Sequence, residues 1–162
     1  MAKVILICGK ICSGKTTYAA KLRDEMHAVL LSVDEIMLAL FGRDAGTDHD
    51  RLAKLTQTYL FEKSLEILAS GIDVILDWGF WTKEARMVAK AFYQSRDISC
   101  EIHGIVIDDT LWRERIAGRN ADVMVGKTNA YYVDEGLAKK FDARYEAPNT
   151  DEIDVIIRAE CR

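Results

Sequence analysis

The chain opens on a continuous apolar run, Val4-Ile5-Leu6-Ile7-Cys8. Its β-branched and aliphatic residues do not alternate with polar ones, which predicts a strand over residues 3–8 buried on both faces. The period then becomes helical: Ala19, Leu22 and Met26 share one face of a helix from about Gly14 to Met26. His27 to Ser32 predicts a second short strand, Ile36 to Phe41 a helical piece, and Gly42 to Asp48 a polar, glycine-punctuated loop. Asp50 to Ser70 is the longest periodic segment, with Leu52, Leu55, Tyr59, Leu60, Leu65 and Leu68 on its apolar face and Gly71 as its stop. Ile72 to Asp77 predicts a third strand, Thr82 to Arg96 a helix, and Ser99 to Ile107 a fourth strand. Asp109 or Thr110 is placed to cap a basic helix, Leu111 to Asn120, which leads into a flexible stretch around Gly126. Tyr131 to Arg144 reads as mostly helical, and Pro148 marks the turn before a last strand, Ile153 to Ile157. Strands alternating with helices in this way predict an α/β fold, a five-stranded parallel sheet covered on both faces.

Composition narrows the picture without redirecting it. With 162 residues and 49% hydrophobic content, the chain predicts one domain over residues 1–162 with an ample core. A net charge of −4 and a pI near 5.4 lack the electrostatic footprint of a general nucleic-acid binder, although a local basic groove stays open. Cys8, Cys12, Cys100 and Cys161 form no C-x-x-C pair, so reduced thiols and a cytoplasmic setting are expected. The apolar runs are strand length, and the start of the chain has no basic segment followed by a long apolar core, so neither a membrane span nor a signal peptide is expected. His27, His49 and His103 show no ligand spacing.

The candidate chemistry begins where the first strand ends. Gly9-Lys10-Ile11-Cys12-Ser13-Gly14-Lys15-Thr16-Thr17 matches G-x-x-x-x-G-K-[ST], the phosphate-binding P-loop. From average residue usage, a chance match in a chain this long is about one in a hundred or rarer. The context also fits, because a strand precedes the motif and a helix follows it. Gly9 and Gly14 let the backbone turn so that successive N–H groups, Ser13 and Thr17 included, surround a phosphate, and the helix start adds its positive dipole end. Lys15 then reaches the β- and γ-phosphates, and Thr16 is placed to ligate Mg²⁺.

In open parallel sheets, ligands bind at the carboxyl ends of the strands. That rule brings Asp34, after the second strand, and Asp77, ending the third, to the same place as the P-loop. Asp77 reads as a metal-site acid or as a strand-end Asp capping a turn. Asp34 reads as a general base toward an acceptor hydroxyl or as the cap of the helix that follows. Arg115 and Arg119 project from one helix face, with Arg113 offset, as a basic lid over about residues 109–130 or as a solvated face. Trp78-Gly79-Phe80-Trp81 walls an acceptor or packs the core, and Arg86 anchors an anion or pairs with Glu84 or Asp77.

This series of phosphate loop, Val33-Asp34-Glu35, Asp77-ended strand, Arg115-x-x-x-Arg119-Asn120 and late Pro148-Asn149-Thr150-Asp151-Glu152 resembles the small P-loop kinases. It is most similar to the group containing polynucleotide 5′-kinase, zeta-type toxins and chloramphenicol phosphotransferase. The resemblance implies a single-domain, nucleotide-kinase-like fold that uses ATP and Mg²⁺. It also implies Asp34 as catalytic base, Arg115 and Arg119 as lid arginines, either of them on the phosphates and the other near the adenine, Asn120 beside the nucleotide, and residues 148–152 bordering the adenine. Polynucleotide kinases carry an arginine three positions after the base, where this chain has Met37, so a nucleic-acid acceptor is disfavoured. The expected activity is transfer of the γ-phosphate of ATP to a hydroxyl of a small-molecule or nucleoside-type acceptor. A polynucleotide 5′-hydroxyl kinase and an ATPase without an acceptor are the alternatives.

Overall fold

The computed structural model describes residues 1–43 and 46–160, so Asp44 and Ala45 of the predicted loop, Cys161 and Arg162 lie outside the described residues. Five strands, β1 (Lys3–Gly9), β2 (Val29–Ser32), β3 (Val74–Gly79), β4 (Ser99–Val106) and β5 (Val155–Arg158), form one parallel sheet in the order β2-β3-β1-β4-β5. The helices are α1 (Lys15–Met26), α2 (Val33–Phe41), α3 (His49–Ala69), α4 (Lys83–Gln94), α5 (Asp109–Met124) and α6 (Glu135–Arg144), with one 3-10 turn at Gly46–Asp48. None of the described helices is long and apolar enough to cross a membrane.

β1 is the central strand, and Val4 through Cys8 are wholly buried, as the unbroken apolar run predicts. Its alternate residues serve two cores. Val4, Leu6 and Cys8 pack with Leu76, Ala89 and Tyr93, while Ile5 and Ile7 pack with Ile75 and Ala19 of α1. Each such aliphatic residue contributes about 1.5–3 kcal/mol of burial. The chain leaves β1 toward β2 and β3 on one side and later fills β4 and β5 on the other. The crevice above the carboxyl end of β1 is therefore the topological switch point.

The described cysteines carry no disulfide. Several boundaries differ from the periodicity reading. α2 starts at Val33, putting Asp34 inside its first turn, and the cap is Ser32, whose Oγ accepts from Glu35 N at 3.3 Å. On α3 the buried row is Leu60, Ser64 and Leu68, spaced by four, which turns the predicted face residues Leu55 and Tyr59 to solvent. α5 is capped by Asp108, not Asp109 or Thr110, and runs on to Met124. α6 starts only after its cap Asp134, and β5 only after Asp154, whose carboxylate accepts from Ile102 N at 2.7 Å.

Candidate active site

The loop leaving β1 folds on itself. Ser13 N donates to Lys10 O at 3.2 Å, and Lys15 Nζ donates to the same carbonyl at 2.6 Å. Gly14, at φ 102° and ψ 15°, takes the left-handed conformation that L side chains resist, and it starts α1 without any side-chain cap. A Cβ at Gly9 would lie 2.9 Å from Ser13 Oγ and 3.0 Å from the Ile105 carbonyl, so that close approach needs glycine. Ser13 Oγ is buried with no hydrogen-bond partner. An uncapped helix start beside an orphaned buried hydroxyl is the arrangement an oxyanion completes.

Alternation along β3 decides where its acid points. Ile75 faces α1, so Asp77, two residues on, faces α1 as well. There Thr16 Oγ1 donates to Asp77 Oδ2 at 3.0 Å. The β1–β3 register slips by one residue just beyond, between Ile7 and Cys8, so Ile7 pairs with Asp77 and Cys8 with Gly79. Burial raises the pKa of Asp77, against the opposing pull of the Lys15 ammonium and the Thr16 hydroxyl. Burial lowers that of half-buried Lys15, against the charges of Asp77 and Asp34. Asp34 itself is exposed in the first turn of α2, and its negative charge favours the Lys15 ammonium and opposes ionisation of Asp77.

α5 lies against this loop through one face. Trp112, Arg115 and Arg119 stand at i, i+3 and i+7. Trp112 is buried, and its Nε1 donates to Ile11 O at 2.7 Å while Lys10 Nζ sits 4.5 Å from its ring centroid. Arg115 Nη1 donates to Ser13 O at 2.7 Å and Nη2 to Glu160 O at 2.8 Å. Arg119 Nη1 meets Cys12 Sγ at 3.3 Å, and its buried Nε has no partner. Lys10 is tied to Asp142 at 2.7 Å and Asp109 at 3.3 Å. Arg113 is exposed on another side of the helix. The arginines predicted as a lid therefore sit on the phosphate loop, and Trp112, which the spacing alone did not single out, holds the helix there.

The residues expected at the acceptor are not all brought in. Arg86 is 1% exposed, and its Nε donates to Glu152 Oε2 at 2.9 Å. Its Nη1 donates to Phe80 O at 3.1 Å and Glu146 O at 2.9 Å. The partner is thus Glu152, not Glu84 or Asp77, and through it the guanidinium ties the 145–152 loop to α4, while its buried Nη2 has no hydrogen-bond partner. The same pairing draws Glu152 toward α4, and Pro148 lines a cavity of about 180 Å³ with Lys10 and the end of β4. The segment meeting Arg115 is instead Glu160, after β5. Trp78 packs on Phe61 and Phe80 at 5.3 and 5.0 Å, and Trp81 on Phe141 at 4.7 Å with its buried Nε1 unpartnered, so these rings make packing contacts with the helices. Asn120 holds Val133 instead of a loop group, with Nδ2 donating to Val133 O at 2.7 Å and Oδ1 accepting from Val133 N at 2.9 Å. Thr17 is exposed in the first turn of α1.

Comparison with known proteins gives the same picture of the fold. A family model described as an AAA domain matches residues 4–148. Kti12 of Chaetomium thermophilum, solved with ADP-AlF3, is 19% identical with a TM-score of 0.68, covering 96% of this chain and 87% of that one. A gluconokinase from Sinorhizobium meliloti is 13% identical with a TM-score of 0.67, covering 99% and 84%. The APS kinase CysC of Mycobacterium tuberculosis, solved with AMPPNP and APS, is 16% identical with a TM-score of 0.66, covering 99% and 90%. No curated protein matches the chain in sequence.

Proposed function

The chain belongs to the AAA domain family and has the P-loop kinase fold, and from that premise we propose that it is an ATP-dependent phosphotransferase acting on a hydroxyl of a small-molecule or nucleoside-type acceptor. The observation that carries this reading is the Thr16–Asp77 hydrogen bond beside Lys15, with Asp34 acting on both charges. ATP binding fits the uncapped α1 start and the orphaned Ser13 hydroxyl, and it is in keeping with the nucleotide analogues in the Kti12 and APS kinase structures. Lys15 exchanges the Lys10 carbonyl for the β- and γ-phosphates. Arg115 and Arg119 exchange a backbone carbonyl and a thiol for phosphate oxygens or the base as the α5 lid closes.

Thr16 and Asp77 suit Mg²⁺, which uses one or two protein oxygens together with substrate phosphates. Among the described residues no cluster of three or more His, Cys, Asp or Glu exists to favour a different metal cage. Bound there, Mg²⁺ would supply neutralisation of phosphate charge. Asp34 takes the proton of the acceptor hydroxyl as its oxygen forms the new bond to the γ-phosphorus. The bond from that phosphorus to the β–γ bridging oxygen breaks, and ADP leaves.

The test is ATP binding by calorimetry together with a phosphate-transfer screen over hydroxyl acceptors, for wild type and Lys15→Ala. The variant is expected to lose transfer and to bind ATP at least about tenfold more weakly, a loss of 1.4 kcal/mol or more. Wild-type affinity in Lys15→Ala overturns the phosphate-loop assignment. ATP hydrolysis that no acceptor stimulates leaves an ATPase.

A further inference from the structure

The segment after α5 takes a detour. Arg43, just beyond α2, donates to Thr128 O at 2.9 Å and to Asn129 Oδ1 at 3.4 Å, while Asn120 clamps Val133 from both sides. Residues 128–133 are thus strung from the lid helix to the side where α2 ends and α3 begins. Within this strap Tyr131 sets its ring edge-on against His49, the first residue of α3, at 5.5 Å and 83°. The Tyr131 hydroxyl is buried with no hydrogen-bond partner. A buried orphan of this kind costs about 1–3 kcal/mol and asks for an explanation. Burial and then the charge of Asp34 raise the pKa of the phenol, so the hydroxyl keeps its proton and the proposed base is its electrostatic neighbour.

We infer that Tyr131, backed by His49, positions the acceptor, its hydroxyl donating to a polar group of an uncharged, hydroxyl-bearing molecule held beside Asp34. The inference rests on the transferase reading above and narrows its acceptor. The charge follows from what surrounds the strap. Asp34 and Glu35 are both acids in the first turn of α2, and Met37, one turn on, is buried against Val33 and Leu60. Of the arginines from α2 through α4, Arg43 holds the strap, Arg51 pairs with Asp48 at 3.2 Å at the surface, and Arg86 pairs with Glu152 through Nε, 1% exposed beneath the 145–152 loop. An anionic acceptor would meet the two carboxylates of the α2 first turn directly.

The experiment measures transfer of labelled γ-phosphate from ATP to uncharged acceptors (nucleosides, free sugars, alditols) and to anionic ones (aldonic acids, a 5′-hydroxyl oligonucleotide). Wild type and Tyr131→Phe are compared, with ATP affinity and melting temperature measured on both. Transfer to uncharged acceptors is expected, and Tyr131→Phe should raise the acceptor KM about three- to tenfold, the worth of one hydrogen bond, with ATP affinity unchanged and a melting temperature that does not fall and rises where the orphaned hydroxyl is relieved. A preference for anionic acceptors, or a wild-type acceptor KM in Tyr131→Phe, overturns the inference and leaves the transferase reading standing. ATP bound without transfer to either class overturns the transferase reading and the inference with it.

Discussion

Asp34 is free for chemistry because Ser32 does the capping. The serine Oγ already satisfies Glu35 N, and the Asp34 carboxylate stands exposed one residue into α2. A carboxylate in a first turn contributes about 0.3–1 kcal/mol through the helix dipole. Asp34→Asn should therefore lower the melting temperature by no more than a few degrees. If Asp34 is the base, kcat should fall by about 10²–10⁴ with ATP affinity unchanged, as stopped-flow transfer and calorimetry would show. Full activity in this variant returns Asp34 to a helix-terminus role. Asp77→Asn should act on the metal instead, raising the Mg²⁺ concentration for half-maximal activity about tenfold or more while leaving the Thr16 contact possible. A Mg²⁺ dependence like wild type would remove Asp77 from the metal site. At this scale the meeting of Thr16 with Asp77 was readable, Thr16 from a motif that fixes residue type and spacing and Asp77 from the strand-end rule. The sequence was not readable where long-range pairing alone decides. Nothing near Arg86 announces Glu152, which lies sixty-six residues away, and Tyr131 sits in a loop with no period to reveal its neighbour His49.

The element that carries the proposed lid is α5. Its existence and basic face are legible from Arg115 and Arg119 four apart, but its start is not, because Asp108, Asp109 and Thr110 are three consecutive cap candidates. Only the extended backbone at Asp108, φ −74° and ψ 157°, lets a carboxylate reach Leu111 N. Its docking face was also legible in principle, since Trp112 stands one turn before the first arginine on the same stripe. The two arginines now donate to Ser13 O and Cys12 Sγ, groups of the phosphate loop itself. Arg115→Ala and Arg119→Ala should each lower kcat strongly, by about 10³ where the charge is aimed at the transferring phosphoryl. Steady-state kinetics on both variants decides it. Unchanged kcat in both would make the stripe a structural clasp between α5 and the loop.

Across the whole molecule, the strand count, the parallel sense and the gathering of loops at one sheet edge follow from alternating periods and one connection rule. The outer edge follows less well, because β5 is short and half-exposed and its start is fixed by Asp154 pairing with Ile102. On the same α1-covered face as Asp77, across β1 on β4, lies a titratable network with a consequence for stability. His103 is 5% exposed; its Nδ1 shares a hydrogen bond with Tyr18 OH at 2.8 Å, and its Nε2 lies 3.3 Å from Glu101, which Lys3 holds at 2.8 Å. Burial lowers the His103 pKa below the ordinary 6.5, and the Glu101 carboxylate opposes the shift only in part. Below that ordinary value the unfolded chain binds a proton that the folded one resists. The His103 contribution is therefore fully present above pH 6.5 and is lost as pH falls through the window down to the folded pKa. Glu101, whose own pKa is lowered first by Lys3, adds a loss of the same sign but only below 4.5. The raised pKa of Asp77 works in the opposite direction, making the fold relatively more stable in acid between 3.8 and its folded value. Melting temperature measured from pH 8 to pH 5 should accordingly fall on the acid side. His103→Gln should flatten that slope between pH 7 and pH 5, whatever its effect on the level at pH 8, and measuring it in an Asp77→Asn background removes the opposing term. A slope that survives His103→Gln would mean that another buried group carries the acid sensitivity.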